Sequence, residues 1–402
     1  MWNKKFITYI TAMELTWIGY GLLRFALPLY LLQTTGNPAL LGTVLAFSAL
    51  PFIILSPIGG VFADRFNKRK MLGIINLTAA VSILAFIAVL NLLDIVSAVI
   101  ILLLIVFSFD ALGSPMMEAS MPLLVPSGTL TKANSVTFLL TNFSTIGTPI
   151  LGGFLIEHFG IMHVLFIATA TYLLAGIIHP LAGTPHTPNK LSSNILKTIV
   201  IDLKDAVIFV TKKQPGFGKL LLKLTLFSMI LSPITTVALS VLVTLYFNRG
   251  ESILGVIQAI VVFGGTAGVL ALKYLEKWVN IKNIHWLSFA SAFLFLMTAL
   301  YFVLSISDTV NFAIFIGTFF GLYAIATVFW IIMFAHIGET CPSDMLGKVM
   351  ALSLSIMFIG IPMGEFLYGF LLHTFLATPY VALLIIAGMA VVIGGWSRSI
   401  TT

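Results

Sequence analysis

Twelve times along the chain, apolar residues continue for about 20 positions or more with only isolated polar interruptions. The runs cover about 6–32, 39–63, 71–93, 96–121, 133–156, 162–182, 220–246, 252–275, 284–305, 310–335, 346–372 and 378–397. A helix needs about 20 residues to cross the hydrocarbon of a bilayer. Only helices and closed barrels satisfy their own backbone hydrogen bonds in lipid. The runs are continuous rather than alternating, which excludes a barrel. The pattern therefore predicts an all-α polytopic membrane protein with 12 transmembrane helices. The first run is too long for the core of a cleaved signal and contains Glu14 and Arg24. It reads as the first membrane helix.

One polar gap is long, from Gly183 to Lys219. It opens with Thr184, Pro185, Thr187 and Pro188, which break helix. Leu196, Ile199, Val200, Leu203, Val207 and Val210 then recur at helical spacing, with Lys197, Lys204, Asp205 and Lys212 mostly off that stripe. This predicts an amphipathic helix lying on the membrane surface, or a connector helix without membrane contact. The gap divides the chain into a six-helix bundle at 1–182, a linker at 183–219 and a second six-helix bundle at 220–402. An internal echo supports the halving. P-S-G-T-L-T-K from Pro126 and P-S-D-M-L-G-K from Pro342 share P-S-x-x-L-x-K, and they precede the fifth and eleventh runs. Paired six-helix repeats are a known transporter plan, with the substrate site near midplane.

Composition and charge agree with this reading. Of 402 residues, 59% are hydrophobic and 9% charged, and the mean hydropathy is +1.10; a soluble domain carries about 25% charged residues. Nineteen of the 21 Lys and Arg collect on one side if the N-terminus is cytoplasmic. Arg249 falls outside and Arg24 lies within a span. The asymmetry predicts a multi-pass protein of the inner (cytoplasmic) membrane with both termini in the cytoplasm. It also assigns the basic pI to the membrane face rather than to nucleic acid, for which no basic–aromatic platform is present. Cys341 is the single cysteine, so there is no disulfide framework and no paired metal-ligand spacing. Gly218-Lys219 is followed by leucine, and no phosphate-binding loop occurs. With no soluble domain to house one, no enzyme, cofactor or metal centre is expected.

The densest charge lies between the second and third runs, in G-V-F-A-D-R-F-N-K-R-K-M-L from Gly60 to Leu72. These residues resemble the signature turn of the major facilitator superfamily, roughly G-x-x-x-D-R-x-G-R-R-x-x-L. Gly60, Asp64, Arg65, Lys68, Arg69 and Leu72 match. Asn67 stands where glycine is usual, and Asn tolerates a left-handed backbone. An acid such as Asp64 can face the positive N-terminal end of another helix. The resemblance implies that this partner is span 11 and that Gly60, Asp64, Arg65, Lys68 and Arg69 form a gating latch. A plain topology signal is the simpler reading. A narrower resemblance, to the macrolide-efflux branch of twelve-span drug exporters, rests on Leu123-Leu124-Val125-Pro126, the amphipathic linker and G-K-V-M-A-L-S from Gly347. Gly147-Thr148-Pro149-Ile150-Leu151-Gly152-Gly153 resembles the antiporter motif G-P-x-x-G-G of span 5. Gly147, Pro149, Gly152 and Gly153 then serve antiport, or serve only close helix packing. One place departs from the pattern. Many drug exporters carry arginine in span 4, followed by glycine three positions later; here the place reads Asp110-Ala111-Leu112-Gly113.

Ionisable side chains in mid-membrane cost about 2.5 kcal/mol or more and mark function. Glu14, Arg24, Asp110 and Glu365 are the candidates, with Glu118 and Glu157 nearer to water. At 1.5 Å per residue Glu14 lies roughly 12 Å and Arg24 roughly 27 Å along span 1. The resemblance implies that spans 1 and 4 line a central cavity. Asp110, Glu14 and Glu365 are then proton-coupling candidates and Arg24 a counter-charge. The alternatives are a static Arg24 pair, or Arg24 reaching the outer surface. Glu365 could also be a packing contact to span 2. Trp17, Tyr20 and Phe109 are weak cavity candidates, and His336 and His373 lie at span ends. The resemblance implies a secondary transporter that exports an amphipathic, drug-like small molecule in exchange for protons. A lipid or siderophore exporter, a proton-coupled nutrient importer and a non-transporting sensor are the rivals. The expected partners are substrate, protons and membrane lipids, and the protein is expected to be a monomer.

Overall fold

In the computed structural model, the backbone is described for residues 2–90, 92, 94–126, 128–183, 204, 207–213, 216–275, 279–304, 307–342 and 346–401. Among these residues there is no strand, and twelve helices are long and apolar enough to cross a membrane. Spans 1 to 6 are Lys4–Thr35, Pro38–Gly60, Lys68–Val89, Ile95–Leu123, Leu130–Phe159 and Ile161–Ala182. Spans 7 to 12 are Phe217–Tyr246, Glu251–Tyr274, His285–Leu304, Asp308–Thr340, Leu352–Thr374 and Pro379–Trp396. Each predicted run is present, with ends that move by a few residues. The amphipathic helix expected in the linker falls largely outside the described residues.

Local chemistry sets several ends. Asn3 accepts the Phe6 N–H at 2.7 Å and opens span 1, and Gly36 closes it with φ 59°. Asp94 accepts the Ser97 N–H at 3.0 Å ahead of span 4, and Ser307 accepts the Val310 N–H at 3.2 Å ahead of span 10. Asn67 does not take the left-handed conformation expected of it. Its φ is −68° and its ψ 101°, and its side chain caps span 3. An extended capping residue with a side-chain acceptor serves this turn where a glycine would serve through backbone freedom alone.

Proline interrupts several spans. Pro28, Pro115, Pro149 and Pro362 lie inside spans 1, 4, 5 and 11. Span 2 consists of two helices, Pro38–Ser48 and Leu50–Arg65, broken just before Pro51. Span 7 passes through π-helical turns at Ile234–Ala238 and Leu242–Tyr246, the first directly after Pro233. Such turns displace the hydrogen-bond ladder and occur often at functional places.

The chain forms two compact units: Met1–Gly36, Phe47–Ser193 and Gly250–Ala259 in the first, and Asn37–Ala46, Asn194–Arg249 and Ile260–Thr402 in the second. In the first, span 1 packs on spans 5 and 6, span 2 on span 4, and span 3 on span 6. In the second, span 7 packs on span 11 and span 9 on span 12. Each unit also takes a piece of helix remote in sequence. The start of span 8 lies on span 5, where a Cβ at Gly255 would stand 2.1 Å from the Pro149 carbonyl oxygen. The start of span 2 lies on span 11, where a Cβ at Gly42 would stand 2.8 Å from the Gly369 Cα. Only glycine allows helices to approach this closely.

Candidate functional site

Two polar groups lie within the membrane spans of the first unit, most of their side chains half-buried and Arg24 exposed. The first centres on Glu14, half-buried in span 1. The Ser144 hydroxyl donates to its Oε2 at 2.7 Å, and the Thr141 hydroxyl lies 3.4 Å from its Oε1. Positions 141 and 144 are one turn apart, so span 5 presents both hydroxyls together. Two residues beyond Glu14, the Thr16 hydroxyl lies 2.8 Å from Oδ1 of Asn76 in span 3, which is fully buried and donates to the Leu72 carbonyl at 2.8 Å.

The second group centres on Asp110 in span 4. The Ser114 hydroxyl lies 2.7 Å from the Asp110 carbonyl oxygen and 3.1 Å from its Oδ1. The Arg24 charge acts on Asp110, and Asp110 and Tyr20 both act on Tyr172 of span 6. The Arg24 guanidinium stands 6.0 Å from the centre of the Tyr20 ring. Tyr20 in turn meets Trp17 at 5.9 Å and Phe107 at 5.8 Å, both edge to face. Phe107, Asp110 and Ser114 follow one helical stripe, which explains why one face of span 4 meets span 1 here.

Among the residues singled out in the sequence, the structure joins Arg24, Asp110, Tyr20 and Trp17. It gives Glu14 to the hydroxyls of span 5, ten residues before Arg24. Phe109 packs on the apolar cluster that contains Phe6, Tyr9 and Met116, and Trp17 touches the same cluster. Glu365 is 4% exposed and lies in the second unit. A Cβ at Gly42 would stand 2.3 Å from its carbonyl oxygen, so span 2 packs on its backbone. In the span 5 motif, Gly152 faces Phe25 and Gly153 faces the Glu251 carbonyl, while nothing approaches Gly147. The side chains of Asp64 and Arg65 and those at 346–348, just ahead of span 11, lie outside the described residues, and with them the expected latch. Gly60 has open space at its Cβ position, and Lys68 and Arg69 are half-buried at the start of span 3.

Sequence reasoning missed Ser114, Thr141, Ser144, Tyr172 and Asn76. Ser114 carries a usable signal, one turn after a membrane-embedded acid; the others depend on contacts between spans. It also passed over Lys223, which lies within the run at 220–246. The structure buries Lys223 inside span 7, at 1% exposure. Among the described residues, no three His, Cys, Asp or Glu gather as metal ligands.

The profile of the Major Facilitator Superfamily matches residues 12–365. The chain belongs to this superfamily. It is a transporter and not an enzyme. Over 373 residues it is 26% identical to macrolide efflux protein A of Streptococcus pyogenes, covering 90% of this chain and 88% of that one. It is 25% identical over 284 residues to the staphyloferrin A transporter of Staphylococcus aureus, covering 68% and 66% of the two chains. Among solved structures, a bacterial homologue of the iron transporter ferroportin in an inward-facing state superposes with a TM-score of 0.75 at 16% identity, over 99% of this chain and 100% of that one. A D-xylose–proton symporter superposes with a TM-score of 0.74 at 16% identity, over 98% and 96%. These two likenesses establish the major facilitator fold.

Proposed function

We propose that this transporter exports amphipathic, drug-like compounds by alternating access, in exchange for protons. The observation that carries this reading is the pair of membrane-embedded carboxylates, Asp110 and Glu14, each held by hydroxyls in the first unit. A carboxylate among fixed dipoles and one mobile counter-charge gains or loses a proton as that charge approaches or withdraws. Asp110 is the first proton carrier and Arg24 its counter-charge; Ser114 orients the carboxylate. Glu14 is the second carrier and Glu365 the third. Trp17 and Tyr20 offer an aromatic wall to the substrate, a role that Phe109 shares only weakly. The likeness to a macrolide efflux protein favours export, as do Gly147, Pro149, Gly152 and Gly153.

The rest of the reading follows from the sequence. Residues 1–182 and 220–402 are the two bundles, joined by the linker at 183–219. Asp64 and its basic neighbours latch the cytoplasmic side. Both termini lie in the cytoplasm, the protein works in the inner membrane as a monomer, and its basic turns contact lipid phosphates.

The test is the internal pH of proteoliposomes during addition of macrolides, hydrophobic cations and lipids, with wild type and Asp110→Asn. Substrate-dependent proton movement that disappears in the variant supports the assignment. Proton movement that survives transfers the role to Glu14 or Glu365. Substrate movement without proton flux removes proton exchange. It then favours the second reading, a lipid or siderophore exporter, in line with the likeness to a staphyloferrin A transporter.

A further inference from the structure

Lys223 lies in span 7, six residues after Phe217 and thus about 9 Å along the helix. Its side chain is 1% exposed, and its Nζ has no hydrogen-bond partner. Among the described residues it forms no ion pair. One turn further, on the same face, Phe227 stacks on Phe329 of span 10 with ring centres 3.6 Å apart. Span 7 turns other faces to span 11: the Thr225 hydroxyl donates to the Ile356 carbonyl at 3.2 Å, and the Tyr368 hydroxyl donates to the Ile230 carbonyl at 2.5 Å. Every polar side chain just named has a partner except the ammonium.

An ammonium in an apolar surround needs an anion and hydrogen-bond acceptors. Among the described residues none supplies either, and an apolar side chain of the same length would fill the space at no such cost. Span 7 departs from regular helix at two π-helical turns further along, a feature frequent at functional places. The missing acceptor therefore arrives from outside. We propose that Lys223 anchors an acidic group, a carboxylate or a phosphate, on the transported molecule when span 7 moves away from span 10. This rests on the exporter reading and narrows its substrates to amphipathic acids and zwitterions.

The test uses two dyes that differ at one group. Rhodamine B carries a free carboxylate; rhodamine B ethyl ester carries an ethyl ester there. Their binding to the full chain in phosphatidylcholine nanodiscs is measured by fluorescence polarisation for wild type, Lys223→Met and Lys223→Arg. Wild type should prefer rhodamine B by about tenfold, the usual worth of a charge-assisted hydrogen bond. Lys223→Met should lose that preference and keep binding of the ester, which also reports that it is folded. Lys223→Arg should retain the preference. An unchanged dye ratio in Lys223→Met, with both dyes bound, overturns the anchor and leaves the exporter reading intact. Wild type that binds neither dye overturns the exporter reading for such compounds, and the anchor with it.

Discussion

The Glu157 carboxylate accepts the Ser252 N–H at 2.7 Å, joining the last turn of span 5 to the first turn of span 8. The first turn of a helix has unpaired N–H groups and a partial positive charge, so an acid there satisfies a donor and the dipole together. Gln33 of span 1 reaches Glu251 in the same turn. Glu157→Ala removes the acceptor. Because the group is exposed, the loss should be about 1 kcal/mol. Hydrogen exchange at the Ser252 amide should then quicken by about fivefold. Exchange that does not change would show that the contact holds nothing in place.

The span 5 motif divides into glycines that carry contact and one that does not. Gly153 and Gly255 each let backbone meet backbone, with 2.2 Å and 2.1 Å available to a Cβ. Gly147 has nothing within 4 Å. Gly255→Ala should therefore separate spans 5 and 8 at a cost of about 1–3 kcal/mol, seen as a lower thermal midpoint. Gly147→Ala should be neutral, or stabilising by up to about 1 kcal/mol as helix propensity improves. Equal behaviour of the two variants would rule out a packing role confined to the Pro149 end.

The twelve spans were legible because apolar length alone decides them in lipid, and Asp110, Glu14 and Arg24 stood out as charges within apolar runs. What those charges touch was not legible. Ser144 lies 130 positions from Glu14, and no period in the sequence links the two. Glu157 read as a minor acid near water because its partner is a backbone N–H 95 positions away. Lys223 did not stand out because it lies at the start of its run, close to Lys212, Lys213 and Lys219, and burial is what separates it from Lys219. Asn67 was read through the glycine it replaces, although its side chain offers a second solution to the same turn.

The ion pair of Arg249 and Asp308 joins the end of span 7 to the start of span 10. Its side chains are 37% and 63% exposed, so water screens most of the attraction. The Arg249 guanidinium also lies 5.4 Å from the Phe312 ring centre. Asp308→Asn should lower stability by less than about 1 kcal/mol, and 1 M salt should remove most of the difference. Arg249→Ala should cost more than Asp308→Asn, because it also removes the contact with the ring. Thermal unfolding of both variants at low and high salt checks the order.

Glu14 and Ser144 give the sharpest pairwise test, since both side chains are half-buried and the hydroxyl points at the carboxylate. Ser144→Ala alone leaves one carboxylate oxygen without its donor, at about 1–3 kcal/mol. Glu14→Gln alone keeps an acceptor for the hydroxyl and should cost less. In the double variant no charge is left unsatisfied, so the two losses should not add; the coupling should be about 1 kcal/mol. Thr141→Ala, at 3.4 Å, should show a smaller coupling to Glu14. Thermal unfolding of the six proteins (wild type, three single and two double variants) measures both couplings. Simple additivity at both positions would mean that span 5 does not hold this carboxylate.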